Sequence, residues 1–258
     1  MTVLAALIFG VLPGALMTII GAGHLWNSAR MKRSDPVDIQ HVDVPSGTVE
    51  LTGTAQVHEE TSQSPFTNTE TLLCDWNAEY YHPTHEGSNW NRLTSGEARH
   101  SFLLEDETGT VLVDIDGASP YLRETTTIEV EAGEAPPPTI QEFIEATDEI
   151  DHEEDRRRKY HELRLDPGAD VHVFGPVRDP GSTVDAVVGV ENPDGRGLTI
   201  GEDDLTWSKI ADRVTTNPDP FIITNAGETG AERQMLKIGA VCLGVGLLFF
   251  AVPIVILL

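Results

Sequence analysis

Two short apolar runs separated by a polar connection stand near the centre of the chain. Residues 102–104 (Phe-Leu-Leu) end the first run, and residues 111–113 (Val-Leu-Val) form the second. Between them lie residues 105–109, in which Gly109 can adopt the positive φ that a tight connection requires. The pattern predicts a β-hairpin whose second strand ends at Gly117.

Alternation of apolar and polar positions predicts more short strands on both sides of this hairpin. In residues 48–58, for example, Val49, Leu51 and Val57 share one face. Further strands are expected in residues 72–81, 128–130, 163–165, 171–177, 184–190, 198–200 and 221–224, with a short helix in residues 206–213. Many short strands at close spacing predict a mainly β domain, a small barrel or sandwich of which an OB-like barrel is one form.

One helical insertion interrupts the strand pattern. Three consecutive prolines end a spacer at Pro138, and Thr139 with Glu142 fits a capping box that opens a helix. The predicted helical insertion covers residues 139–160. Its last part places acidic residues 153–155 four positions before basic residues 157–159, which favours a solvated helix stabilised by its own ion pairs.

Two long uncharged segments flank the predicted β domain. Residues 3–20 are apolar apart from Thr18, and the second segment, residues 238–258, would form a helix ~31 Å long. We therefore expect a transmembrane helix in residues 1–29, the β domain in residues 30–237 and a second transmembrane helix in residues 238–258. A cleaved signal peptide is the competing interpretation of the first segment, but no basic region precedes it.

Basic residues next to these segments predict their orientation. Arg30, Lys32 and Arg33 follow the first segment, whereas Arg233 and Lys237 precede the second. By the positive-inside rule, the central domain is cytoplasmic and both termini lie outside. The expected localisation is the cell membrane, as a multi-pass protein in contact with the lipid bilayer through two spans.

The charge balance narrows the partner classes. The chain has 42 acidic and 17 basic residues and a formal charge of −25. Such an acidic surface is typical of proteins from concentrated salt, where screening removes self-repulsion, so we expect a halophilic source. The same charge argues against nucleic acid, which requires clustered lysine and arginine. Membrane or cytoplasmic proteins are the expected macromolecular partners.

Three sequence blocks together resemble a known family. They are residues 64–66 (Ser-Pro-Phe) before an aromatic strand, the central hairpin through Ala118, and residues 160–177 after the helical insertion. In this order, between two predicted spans, they are similar to the GIDE domain, also called BAM ("beside a membrane"). That domain occurs in mitochondrial membrane-anchored E3 ubiquitin ligases and in many prokaryotic proteins, and this chain would be a haloarchaeal-like member.

The resemblance does not carry over the ligase activity. In those ligases a RING domain follows the second span, and a RING needs seven or eight cysteine and histidine ligands for two zinc ions. This chain has only Cys74 and Cys242. The family association is RING-type E3 ubiquitin transferase, whereas the residues present favour a protein that is not an enzyme.

Individual motifs predict no catalytic, cofactor-binding or metal-binding residue. His82, His85 and Glu86 match no metalloprotease order, and Pro83 argues against the helix such a motif needs. Asp114 and Asp116 alternate on one strand face, as paired carboxylates do, but an acidic face is expected at this net charge. The same holds for Asp203-Asp204 and residues 153–155, and both cysteines are interpreted as small apolar residues.

Three functional hypotheses remain. The first is a scaffolding or protein-interaction module that offers surfaces or edge strands to partners. The second is a component of an E3 ubiquitin ligase-like system whose RING another chain supplies in trans. The third is an OB-like barrel that binds a ligand on a concave face, with four candidate aromatic residues, Trp76, Tyr80, Tyr81 and Trp90.

Overall fold

The computed structural model of the protein describes residues 12–42, 47–84, 87–147, 153–178, 187–188 and 221–257. The chain is mainly β, with 42% strand and 27% helix. The described helices are α1 (Leu12–Met31), α2 (Pro138–Ala146) and α3 (Glu228–Leu257). The described strands are β1 (Thr48–Val57), β2 (Ser62–Gln63), β3 (Glu70–Thr71), β4 (Leu73–Thr84), β5 (Gly87–Arg99), β6 (Phe102–Glu105), β7 (Thr110–Val113), β8 (Ser119–Tyr121), β9 (Glu124–Val130), β10 (Arg158–Leu165), β11 (Asp170–Arg178), β12 (Val187–Val188) and β13 (Ile222–Thr224).

Five strands form a closed ring in the order β1-β6-β7-β12-β11, because β11 pairs with β1 as well as with β12. The strands β13 and β8 extend the sheet from β11. Alternate side chains point into the ring, and Leu51, Phe102, Leu104 and Val173 are fully buried there. The opposite side of the same strands, the outer face, carries Glu50, Thr52 and Thr54 of β1.

The central hairpin is confirmed, since β6 and β7 pair from Phe102 with Val113 to Glu105 with Thr110. The prediction that the second strand ends at Gly117 is wrong, because β7 ends at Val113; Gly117, with a φ of 80°, lies in the turn that follows. The prediction for Gly109 is wrong, because Gly109 is not among the residues with positive φ. The Asp106 carboxylate instead holds the turn, since it accepts hydrogen bonds from the amides of Thr108 and Gly109.

A four-stranded antiparallel sheet in the order β5-β4-β10-β9 packs one face against α2. The core between them contains Phe66, Tyr160, Ile140 and Ile144. These apolar side chains explain why the amphipathic α2 forms here, since burying its apolar face stabilises the helix.

The helical insertion ends earlier than expected. The prediction of helix up to residue 160 is wrong, because Arg158–Leu165 forms β10, which pairs with β4 on one side and β9 on the other. Two pairing neighbours outweigh the local helix signal of the charged run. The capping box is also wrong: α2 begins at Pro138, and the Thr139 hydroxyl donates to the Phe66 carbonyl.

Helices α1 and α3 lie against each other through glycines. A Cβ at Gly21 would lie 2.8 Å from the carbonyl oxygen of Gly239, and one at Gly246 would lie 2.9 Å from that of Gly14. The end of α1 reaches the outer face of the sheet, where Met31 is buried with Phe174 and Ile222. The last residue of α1 therefore packs against the outer face of the seven-stranded sheet.

The prediction of two transmembrane helices is wrong. Among the described residues, no helix is long and apolar enough to cross a membrane. α1 includes His24, Asn27 and Arg30, and α3 begins with polar turns that include Arg233 and Lys237. The multi-pass membrane localisation, the orientation with a cytoplasmic central domain, and the lipid bilayer as a partner through two spans all depended on those helices, and this finding overturns them.

Several predicted elements lie outside the described residues. They are residues 1–11 of the first predicted span, residues 148–152 of the helical insertion, the strand in residues 198–200, the helix in residues 206–213 and residue 258 of the second predicted span. Of the strand expected in residues 184–190, the structure describes only Val187–Val188.

Candidate binding groove

A cavity of about 890 Å³ opens on the outer face of the seven-stranded sheet. We call it the outer groove. The strands β6, β1, β11 and β13 lie side by side beneath it, and Pro36 and the residues before α3 border it. Its polar lining includes Thr52, Thr54, Gln56, Glu105, Asp106, Glu107, Arg123, Asp170, His172 and Thr224.

Strand register places the groove residues in rows. Thr54 pairs with Glu105 on one side and with Asp170 on the other, so these three side chains share the outer face. The next row of that face contains Thr52, His172 and Thr224. A Cβ at Gly53 would collide with the Glu105 carbonyl, so this glycine allows the end of β6 to approach β1 closely. The floor of the groove therefore consists mainly of short, polar side chains.

A buried pair of ionisable residues lies at the floor. His172 Nε2 is 2.9 Å from Glu50 Oε1, and the two side chains are 5% and 0% exposed. This ion-pair contact lacks hydrogen-bond geometry, and within the described residues the two Glu50 oxygens and His172 Nε2 have no other hydrogen-bond partner. Buried carboxyl groups are usually hydrogen-bonded, so this pair is an exception that distinguishes the floor from the rest of the sheet.

Asp106 is the carboxylate that organises one wall of the groove. Its Oδ2 accepts a hydrogen bond from the Ile39 amide at 2.9 Å, and its Oδ1 accepts from Thr108 and Gly109. Although burial raises it, the hydrogen bonds from Thr108, Ile39 and Gly109 together hold the pKa of Asp106 below its ordinary value. This wall is therefore negatively charged at neutral pH.

A second buried carboxylate, Glu162 on β10, lies away from the groove, and both of its oxygens accept hydrogen bonds. Its Oε1 accepts from the amides of Phe66 and Thr67 at 2.6 and 3.2 Å, and its Oε2 accepts from the Thr67 hydroxyl and from Arg164. Burial lowers the pKa of Arg164, but hydrogen bonds to Asp166 and Glu162 outweigh that effect and raise it. Glu162 is a structural clamp that fastens the loop before β3 to β10.

None of the four candidate aromatic residues lines the outer groove. Trp76 packs edge-to-face against Phe66 and Phe143 at the core between α2 and the four-stranded sheet, and it lies over Gly96. Tyr81 and Trp90 are cross-strand neighbours on the four-stranded sheet, with their ring centroids 5.5 Å apart. Cations cover them and Tyr80: Arg156 lies over Tyr80, Arg157 over Tyr81 and Trp90, and Lys159 over Trp90 at 4.4 Å.

The motifs singled out from the sequence do not converge on one place. His82 contacts the Arg156 guanidinium at 2.8 Å, whereas His85 and Glu86 lie outside the described residues. Asp114 forms an ion pair with Arg178, while Asp116 is exposed. Asp203 and Asp204 also fall outside the description. In the part of the chain that is described, no group of three or more histidine, cysteine or acidic residues could hold a metal ion.

The two cysteines are not bonded to each other. Burial, reinforced by the carboxylates of Glu162 and Asp75, raises the pKa of the Cys74 thiol to about 12. The thiol therefore stays protonated at neutral pH and behaves as an apolar core group, since the thiolate is the reactive form.

Sequence reasoning missed Glu50, Asp170 and His172. The signal was present as alternation: Asp170 and His172 are two positions apart in a strand whose intervening and following residues are valines. A polar residue every second position beside buried valines indicates one polar sheet face. Placing Glu50 beside His172 also required the pairing of β1 with β11, which the sequence did not reveal.

Comparison with known proteins found no matching family model, no similar curated protein and no similar solved structure. The resemblance to the GIDE family stays a prediction that depends on the three sequence blocks.

Proposed function

We propose that this chain is a non-enzymatic protein-interaction module that holds an extended segment of a partner protein in the outer groove. The observation that supports the proposal is the cavity of about 890 Å³, which lies across four strands and is lined mainly by polar side chains. The threonine, glutamine and carboxylate side chains of this lining can exchange hydrogen bonds with a peptide backbone. A peptide brings its own row of hydrogen-bonding groups to such a surface.

The buried pair at the floor supports binding rather than proton-transfer catalysis. A general base must come within hydrogen-bond reach of the proton that it removes. Glu50 is fully covered, and His172 has only a 4% exposed surface. A molecule in the groove meets Thr52, Thr54 and Gln56 first, and these side chains bind rather than react.

Selection from a displayed random peptide library against the full chain tests this function. We expect enriched peptides whose binding is lost in Thr52→Trp, because Thr52 is exposed in the groove and an indole there would obstruct its floor. Gln56→Trp serves as a second blocking variant. The matched control is Ser95→Trp, since Ser95 is equally exposed on β5, outside the groove.

Circular dichroism establishes that the three variants are folded. Enrichment of no peptide, or of peptides that bind the blocking variants and the control equally well, would contradict the proposal.

A further inference from the structure

The strand β5 forms one edge of the four-stranded sheet. In the sheet order β5-β4-β10-β9, it has β4 on one side and no strand on the other in the part of the chain that is described. With 13 residues, it is also the longest strand described. An edge of this length presents a row of backbone N–H and C=O groups with which another strand can pair.

Three exposed side chains of β5 share one face of the sheet. Arg92, Ser95 and Glu97 lie opposite alternate residues of β4, and a bulge at Leu93 makes Arg92 and Ser95 consecutive positions of that face. Within the described residues, the Arg92 guanidinium has no ion-pair or hydrogen-bond partner. Arg99 binds Oε2 of Glu97 and leaves Oε1 for a further contact. A positive and a negative residue therefore flank Ser95 symmetrically.

This arrangement is complementary to a second copy of itself. When two antiparallel copies of β5 pair with Ser95 opposite Ser95, Arg92 of each copy lies opposite Glu97 of the other. Two-fold symmetry makes the two contacts identical. Cross-strand pairs of opposite charge stabilise a sheet, whereas like charges directly opposite each other destabilise it.

The neighbouring positions of the same register also fit. On the same face, Trp90 of one copy lies opposite Arg99 of the other, and arginine stacks on aromatic rings. On the other face, the bulge at Leu93 lies opposite Gly96, which has no side chain to collide with it. The register that pairs the charges is therefore also sterically suitable.

Two other edge strands are less suited to a second copy. On β9, the opposite edge of the same sheet, both charged residues are acidic, Glu124 and Glu129. The strand β8, which ends the seven-stranded sheet, has only three residues and contains Pro120, which has no N–H to donate. Because the chain has a formal charge of −25, two copies repel each other, and a surface that also carries positive charge favours their contact.

We propose that two copies of this chain pair through β5, antiparallel and centred on Ser95, so that their four-stranded sheets join into one sheet of eight strands. The contacts between Arg92 and Glu97 fix the register, because a shift along β5 separates them. No described residue of β5 lines the outer groove, so this inference goes beyond the proposed function and does not depend on it.

Sedimentation velocity of the full chain tests the pairing. Measurements in ~1 M salt shorten the Debye length to ~3 Å, so long-range repulsion between two acidic copies is screened while contacts between opposite residues remain. We expect a dimer whose fraction rises with protein concentration up to ~100 μM. A chain that stays monomeric at that concentration overturns the inference.

Charge reversal identifies the surface that forms the dimer. Arg92→Glu and Glu97→Arg each convert both opposite-charge contacts into like-charge contacts, so we expect each variant alone to dimerise about fivefold more weakly or worse. An equimolar mixture of the two variants should recover a dimer of about wild-type affinity, because every contact in the mixed dimer again joins opposite charges. A fluorescent label on one variant identifies the mixed dimer.

Arg33→Glu and Glu142→Arg are the matched controls, since they make the same charge changes at exposed positions outside β5. Each control alone should dimerise as the wild type does, and circular dichroism establishes that all four variants are folded. Equal weakening in variants and controls, or a mixture of Arg92→Glu and Glu97→Arg that associates no more tightly than either component, overturns the inference. Neither result changes the expected binding of library peptides in the outer groove, so the proposed function is tested separately.

Discussion

Glu162 and Glu50 are both completely buried on β strands, but their surroundings differ. Glu162, on the four-stranded sheet, accepts hydrogen bonds from Phe66, Thr67 and Arg164. Glu50, on the outer face of the ring, has an ion-pair contact with His172 and no hydrogen bond among the described residues. A buried carboxylate that accepts hydrogen bonds stabilises the fold, whereas one without them costs free energy. The comparison therefore separates a buried carboxylate that holds two segments together from one whose only polar contact is an ion pair.

The largest expected effect is that of Glu162→Gln. The amide loses the charge that Arg164 requires and places an NH₂ group against a donor, so we expect the free energy of unfolding to fall by about 3–5 kcal/mol. Urea denaturation measures it. Asp166→Asn, which leaves the Glu162 contacts intact, is the control, and a loss equal to that of Glu162→Gln would show that the clamp depends on Arg164 alone.

Asp106→Asn should have an intermediate effect, because Asp106 is hydrogen-bonded as fully as Glu162 but lies near the surface. We expect a loss of about 1 kcal/mol at pH 7, as for a capping residue. Since the pKa of Asp106 is lower in the folded chain, its carboxylate stabilises the fold above the unfolded-state pKa of ~3.9. That contribution is lost as the pH falls through the folded-state pKa.

Denaturation of the wild type and Asp106→Asn from pH 7 to pH 3 checks this prediction. The two stabilities should converge towards acid pH. A difference that stays constant over this range would mean that Asp106 stabilises the hairpin through its shape and not through its charge.

The smallest effect is expected for Glu50→Gln, the same substitution at the other buried site. Because a neutral amide costs less to bury than a carboxylate that accepts no hydrogen bond within the described residues, we expect stability within about 1 kcal/mol of the wild type, or a gain. Denaturation beside Glu162→Gln gives a direct comparison. A loss as large as that of Glu162→Gln would mean that the Glu50–His172 pair is a structural element and not part of a binding floor.

The local sequence pattern was sufficient to predict the hairpin. The runs at residues 102–104 and 111–113, with a polar turn between them, form β6 and β7 as predicted. Local pattern was misleading for residues 153–160, where the spacing of charges suits a helix but Arg158, Tyr160 and Glu162 are buried between two paired strands. It was also misleading for the two long uncharged segments, whose described helices do not have the length and apolarity to cross a membrane.

The mainly β character, the hairpin and the excess of acidic residues can all be predicted from the sequence, because strand alternation, turn residues and charge are properties of neighbouring positions. Which acidic residues lie close together depends on the tertiary structure. Glu105 and Asp170 are 65 positions apart, and they flank one groove because β1 pairs with both of their strands. Long-range pairing of this kind depends on how the whole sheet closes, and no local pattern encodes it.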